Sequence, residues 1–224
     1  MHALVAVANT ERWLWIEWVR THPDDIFLAL REHVIFTVAA VCGGLLLSAP
    51  LALLAVRQPK LRTAVLGVTG AVYTIPSLAL FAVLVPVFGL HRITVVLPLI
   101  GYTLLILVRN IIAGLDGVSS SVTDAADGLG FSPLARLVKV ELPLALPAIT
   151  AGVRIATVTT IGLTTIAAVA GLGGLGQLIV IGLNRPMRTA VTVGAVLSVV
   201  LAVVADIGLG AAQRTLTPWA RRRL

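Results

Sequence analysis

Few residues in this chain have the types and spacing that bond-making chemistry needs. Gly171-Leu172-Gly173-Gly174-Leu175-Gly176 satisfies the dinucleotide pattern G-x-G-x-x-G. That pattern grips a pyrophosphate only inside a strand–turn–helix unit with an acidic residue about 20 positions further on. No such unit surrounds it, and the next acid is Asp206. A glycine run at the end of an apolar segment serves better as a tight bend or a close helix contact. The phosphate loop G-x-x-x-x-G-K-[ST] is absent, so the chain has no ATP cradle of its own. Cys42 and the histidines His2, His22, His33 and His91 show no metal-ligand spacing. No serine–histidine or paired-carboxylate arrangement stands out. The expectation is a protein that is not an enzyme and binds no metal or cofactor. One polar stretch, Asp124 to Pro143, is spaced for mechanical work instead.

The rest of the chain must hold that stretch in a bilayer. Hydrophobic residues make up 58% of it and charged residues 12%, with mean hydropathy +1.02. A soluble domain needs far less apolar side chain. A crossing of roughly 30 Å of hydrocarbon takes about 20 apolar residues. Spans are expected over 34–56, 64–89, 93–113, 148–170 and 189–212. The second carries Pro76, Pro86 and Gly70, so it reads as one kinked helix or two shorter pieces, giving five or six crossings. The fold class is all-α: a polytopic transmembrane bundle with an N-terminal interfacial or extracytoplasmic segment (1–33), a membrane domain (34–212) containing a cytoplasmic loop (114–147), and a basic tail (213–224).

Charge orients the bundle. Arg57, Lys60 and Arg62 sit in one link without an acid, and Arg214, Arg221, Arg222 and Arg223 fill the tail. Both belong in the cytoplasm. Before the first span, three arginines face five acids, which suits the outside. Five spans then put the N terminus outside, with the tail and the Asp124–Pro143 loop inside; Arg185 and Arg188 fall outside, against the trend. The net charge of +7 sits at membrane edges rather than on one soluble face, so no nucleic-acid partner is expected. Trp13, Trp15 and Trp18 read as an interfacial helix, not a cleaved signal peptide. Cys42, the sole cysteine, reads as a small buried apolar residue.

The polar loop reads as two short helices with a hinge. Ser120 or Ser121 can cap the first, which holds Asp124, Ala125 and Ala126. Gly130 turns the backbone, and Ser132-Pro133 starts the second helix. Leu134, Leu137 and Val138 share one face, with Arg136 and Lys139 off it. Pro143 and Pro147 lead into the next span. The plain alternative is an amphipathic surface hairpin.

Asp124-Ala125-Ala126, three residues, Gly130, nine residues, Val140, one residue, Leu142-Pro143 resembles the loop of ATP-binding-cassette (ABC) importer permeases. That pattern has Glu where this chain has Asp124, a shorter arm for an ion pair. The resemblance implies that Asp124, Ala125, Ala126, Gly130, Ser132, Arg136, Leu142 and Pro143 meet a separate ATPase that binds ATP and Mg. Tyr73-Thr74-Ile75-Pro76-Ser77-Leu78-Ala79-Leu80 resembles the signature of permeases for osmoprotectants: glycine betaine, choline, carnitine or proline. Ala170–Gly176, Glu141–Pro147 and Ala151–Arg154 fit them too, and methionine-type permeases are the competing match. The resemblance covers about 34–212. It implies two ATPase copies, a second permease chain, identical or related, an extracytoplasmic substrate-binding protein, and a place in the cell membrane. The reading from another class is an ion-coupled secondary carrier or channel; it would need its own ion site, for which Asp206 is the acid in a span, and no inverted repeat is seen.

Polar residues in the spans complete the set. Arg154 and Asp206 each lie about six residues from the cytoplasmic end of a span, and lone charges in hydrocarbon are expensive. A contact between them is expected; the alternative is snorkelling of Arg154 to headgroups. Thr150, Thr157, Thr160 and Thr164 share a helix face that lines a pathway or, alternatively, bonds its own helix carbonyls. Tyr73, Pro76, Ser77, Gly173, Gly174 and Gly176 are the other gate or pathway candidates.

Overall fold

The computed structural model describes residues 13–219, which are helical, with no strand among them. The expected basic triplet Arg221–Arg223 and the apolar start of the chain lie outside the described residues. Helix α1 (Ile16–Thr21) precedes α2 (Pro23–Arg57). Pro23 opens α2 where its missing N–H costs nothing, and Asp24 and Asp25 suit the helix dipole. Then come α3 (Pro59–Thr74), α4 (Ser77–Phe88), α5 (Arg92–Asp116) and α6 (Ser120–Gly128). Helix α7 (Pro133–Arg136) passes through a π turn (Leu137–Glu141) into α8 (Leu142–Ala167), followed by a 3-10 turn (Ala168–Ala170). Helices α9 (Leu175–Asn184) and α10 (Arg188–Leu216) close the described chain.

By length and apolarity, α2, α5, residues 133–170 and α10 can each cross a membrane. Helices α3 and α4 pass the same test together; the count is four, or five if that bent pair is one span. The bend falls at Ile75-Pro76, where proline disfavours helix in the residue before it. Helix α9 falls in what the sequence reads as a break. Its ten residues reach only about 15 Å, too short for a sixth crossing.

The contacts divide into two units. Among the described residues, the first contains 13–40, 75–100 and 157–204. Its core has two clusters: Phe36, Ala40, Phe81, Val95, Leu99, Ala167 and Leu172, and Trp18, Ala29, Leu175, Leu178 and Ala190. The second contains 41–74, 101–156 and 205–219, with a core of Ala52, Ala55, Val108, Ile111, Ile112, Leu115, Leu137 and Ala145.

Small residues recur at the closest of these contacts for a physical reason. Lipid is as apolar as leucine, so helices gain little by hiding leucine from it; close backbone approach and dispersion replace the hydrophobic drive. A side chain at Gly114 would collide with Ala145 and Ala148, and one at Gly152 with Asn110. At Gly176 it would strike the Thr165 carbonyl and Ala168. Large apolar residues such as Leu46, Val199 and Ile207 are exposed on the outside of the described chain.

Several expectations need correction. Helix α2 begins at Pro23, ahead of the span expected from residue 34. Trp18 is buried in the first unit's core, and only six residues around it are helical, so the tryptophans form no common interfacial helix. Trp13 is exposed, with the Arg188 guanidinium 5.3 Å over its ring. Cys42 is exposed, not buried: in a bilayer the surroundings of a helix are themselves apolar, so an apolar side chain need not be hidden.

Glycines without neighbours give the contrast needed for a test. A methyl group at Gly162 meets nothing within 4 Å. Gly162→Ala is expected to stabilise the solubilised protein by about 0.5–1 kcal/mol through helix propensity. Gly176→Ala is expected to destabilise it by about 1–3 kcal/mol through overpacking. Thermal unfolding in detergent checks both signs.

Candidate functional site

The polar stretch folds as a helical hairpin within the second unit. Helix α6 ends in a two-bond glycine cap: Phe131 N–H donates to Ala126 O at 3.1 Å, and Gly130 N–H donates to Asp127 O at 2.9 Å. Gly130 has φ +81, a conformation that side chains resist. Ser132 then caps α7, its hydroxyl accepting from Ala135 N–H at 3.3 Å, with Pro133 first in the helix. At the other end, Ser119 takes the cap position of α6, not Ser120 or Ser121, and its hydroxyl bonds Ser121 Oγ at 2.8 Å instead of a backbone N–H.

The π turn decides how the hairpin joins α8. Pro143 has no N–H to give, so a regular ladder would leave a carbonyl unpaired one turn back. The chain instead shifts to a five-residue bond, Leu142 N–H to Leu137 O. Residues five apart cannot meet on a regular α-helix, but the wider turn brings Arg136 and Glu141 together at 2.7 Å (Nε to Oε1). Arg136 Nη1 also donates to Asp127 Oδ2 at the end of α6. One guanidinium thus ties both arms of the hairpin to its base. Arg136 was expected to meet an ATPase; the structure engages it internally. The signal in the sequence was the bracketing of Arg136 by Asp127 and Glu141, which a period of three and four does not pair.

Root and tip differ in burial. Leu137 and Ala145 are in the core, and Leu142 packs against them, while Pro143 is half-buried. Leu137 was expected on the face of Leu134 and Val138; it is buried and those two are exposed. Ala126 is buried, whereas Asp124, Ala125 and Leu129 are exposed. No ion pair holds Asp124 among the described residues. At the root, Arg62 of α3 bonds Asp116 of α5 at 2.7 Å.

Residues 44–218 match the family of binding-protein-dependent transport system inner membrane components. The chain belongs to this family. The permease is 34% identical to a choline transport system permease protein of Bacillus subtilis, covering 93% of this chain and 96% of the relative. It is 38% identical to a glycine betaine/carnitine/choline transport system permease protein of the same organism, covering 86% and 84%. It is 39% identical to an osmoprotectant import permease protein of Salmonella typhimurium, covering 84% and 89%. Its fold is similar to a solved chain of the MetNI methionine ABC transporter, with TM-score 0.76 and 21% identity, over 91% of this chain and 100% of that one. It is an all-α polytopic permease of the type I ABC importer class. Members of the family work with ATPase and substrate-binding partners and carry no ATPase site of their own.

In this permease Arg154 and Asp206 meet. Arg154 Nε donates to Asp206 Oδ1 and Nη2 to Oδ2, both at 2.9 Å. Gln213 accepts from Arg154 Nη1 at 3.3 Å and passes its own N–H to Pro147 O at 3.1 Å. Gly210 makes the room, since a side chain there would press on the guanidinium. Asp206, Gly210 and Gln213 recur at helical spacing, so one stripe of α10 is built to receive one arginine of α8.

The pathway candidates are scattered. Thr157, Thr160 and Thr164 are buried in the chain's own packing, and the Thr164 hydroxyl donates to Thr160 O at 2.8 Å, so they offer no free face. Tyr73 is exposed and meets Tyr102 edge-on, 6.0 Å between ring centroids. Pro76 caps α4 and Ser77 begins it. Gly173 and Gly174 have φ +84 and +76 before α9. Thr164 and Gly174 are neighbours, the threonine methyl lying 3.5 Å from where a side chain at Gly174 would begin.

The ion pair is tested by exchanging its charges. Arg154→Asp and Asp206→Arg each set like charges together, and each is expected to lower uptake per assembled complex by about tenfold or more. The double variant should recover much of that loss in reconstituted vesicles. Recovery no better than either single change removes the pair from the account.

Proposed function

We propose that this permease is the membrane subunit of an ATP-driven importer for osmoprotectants: glycine betaine, choline, carnitine or proline. The observation that carries this reading is the hairpin, with its root packed in the core and an exposed tip. Asp124, Ala125, Leu129, Leu134 and Val138 form the tip surface offered to the ATPase. Ala126, Gly130, Ser132, Arg136, Leu142 and Pro143 keep its shape and anchor it. Relatives at 33–39% identity over most of the chain, named for choline, glycine betaine, carnitine or osmoprotectant transport, support the substrate class. The methionine reading has less support, because a likeness at 21% identity speaks only for the fold.

In this reading two ATPase copies hold ATP and Mg and dock on two hairpins. A second permease chain, identical or related, completes the pathway, and an extracytoplasmic protein delivers substrate. The N terminus faces outside and the C terminus inside. ATP and the loaded binding protein must favour the same outward-facing state for import to be coupled. The secondary-carrier reading loses ground because Asp206 is engaged by Arg154, which leaves it a poor coupling-ion ligand.

The test is uptake of glycine betaine and choline by vesicles holding the whole complex, with and without ATP. Asp124→Lys reverses the tip's charge. Gly130→Pro demands φ near −65° where the backbone stands at +81, and it removes an N–H that bonds Asp127. ATP-dependent uptake lost in both intact variants supports the reading. Transport of methionine alone overturns the substrate class. Uptake by this chain alone, indifferent to ATP and to both changes, overturns the importer reading.

A further inference from the structure

Helix α9 begins where its own sequence cannot cap it. Gly174 holds the N-cap position and has no side chain to offer the first turn. Every helix start leaves N–H groups without partners inside the helix. Here α2 supplies them. Gly174 N–H donates to Glu32 Oε2 at 3.2 Å, and Leu175 N–H donates to His33 Nδ1 at 3.2 Å. The other ring nitrogen of His33, Nε2, lies 3.0 Å from Ile161 O of α8. A carbonyl only accepts, so Nε2 carries the proton and Nδ1 receives one. One fully buried imidazole therefore joins α2, α8 and α9.

The glycines make this approach possible. The Glu32 carboxylate occupies the space of a side chain at Gly173, and His33 Nδ1 lies 3.4 Å from where one would begin at Gly174. A cavity of about 340 Å³, lined in part by Asp25, Glu32, Gly174, Gln177 and Arg185, borders the same spot. The start of α9 is thus held by two side-chain bonds next to open space. Core packing of Leu175 and Leu178 adds to that hold.

We propose that Glu32 and His33 are positioning residues that latch the start of α9, and that transport requires the latch. The uptake arm of the test rests on the osmoprotectant reading; the exchange arm does not. His33→Asn keeps an acceptor at the position of Nδ1 and gives up the bond to Ile161. His33→Gln keeps a donor at the position of Nε2 and gives up the bond to Leu175. Hydrogen exchange over residues 173–178 is measured in the assembled complex, alongside glycine betaine and choline uptake per ATP hydrolysed. His33→Asn should match the wild type in both. His33→Gln should lose amide protection, and uptake per ATP, by about tenfold. Equal behaviour of the two variants, or unchanged protection in His33→Gln, overturns the latch. If His33→Gln does not assemble, the same comparison of Glu32→Gln, which keeps an acceptor for Gly174, with Glu32→Leu decides it. A wild type that carries neither substrate counts against the substrate class, while exchange still decides the latch.

Discussion

Hydrocarbon offers no hydrogen-bond partner, so a chain that lives in it must satisfy its polar groups internally. Most of what distinguishes this permease follows from that constraint. Thr69, Thr150, Thr164 and Ser198 return their hydroxyls to carbonyls of their own helices. Arg154 meets a two-pronged carboxylate and an amide. His33 spends both ring nitrogens on backbone groups. Prolines inside the helices pose the same problem in reverse, since each withholds an N–H. Near Pro143 the answer is a π turn, in which Leu142 N–H reaches back to Leu137 O. The functional geometry is built from these repairs.

The hairpin shows how a repair becomes a lever. A surface loop held only by exposed contacts would absorb a push by bending. Here Leu137, Leu142 and Ala145 root the arm among packed helices, and Arg136 braces its two halves. Exposed ion pairs are individually weak. Their use here lies in direction: both carboxylates pull on one planar group, which fixes the angle between the arms.

Much of this was legible in the sequence. Hydropathy located the long helices, since the bilayer dictates the apolar stretch, although α2 starts at Pro23, eleven residues before the expected 34. Ser132-Pro133 marked a helix start because the cap chemistry is local. Counting residues from the span ends put Arg154 and Asp206 at one depth, and in the structure they touch. What could not be read depended on departures from regular periods or on distant partners. Leu137 was grouped with Leu134 and Val138 by a period that the π turn breaks. Helix α9 hid in a break because ten residues leave no span-length signal. Cys42 was placed inside by a rule meant for water. Glu32 and His33 looked like ordinary polar residues near a helix start, because their partners lie about 140 positions away.

The π turn has one more implication, for comparing sequences. It stores one extra residue between tip and core, and a single residue is worth about 100° of rotation about a helix axis. A relative that lacked one residue between Leu137 and Glu141 could align well on both sides and yet present a tip turned by about 100°.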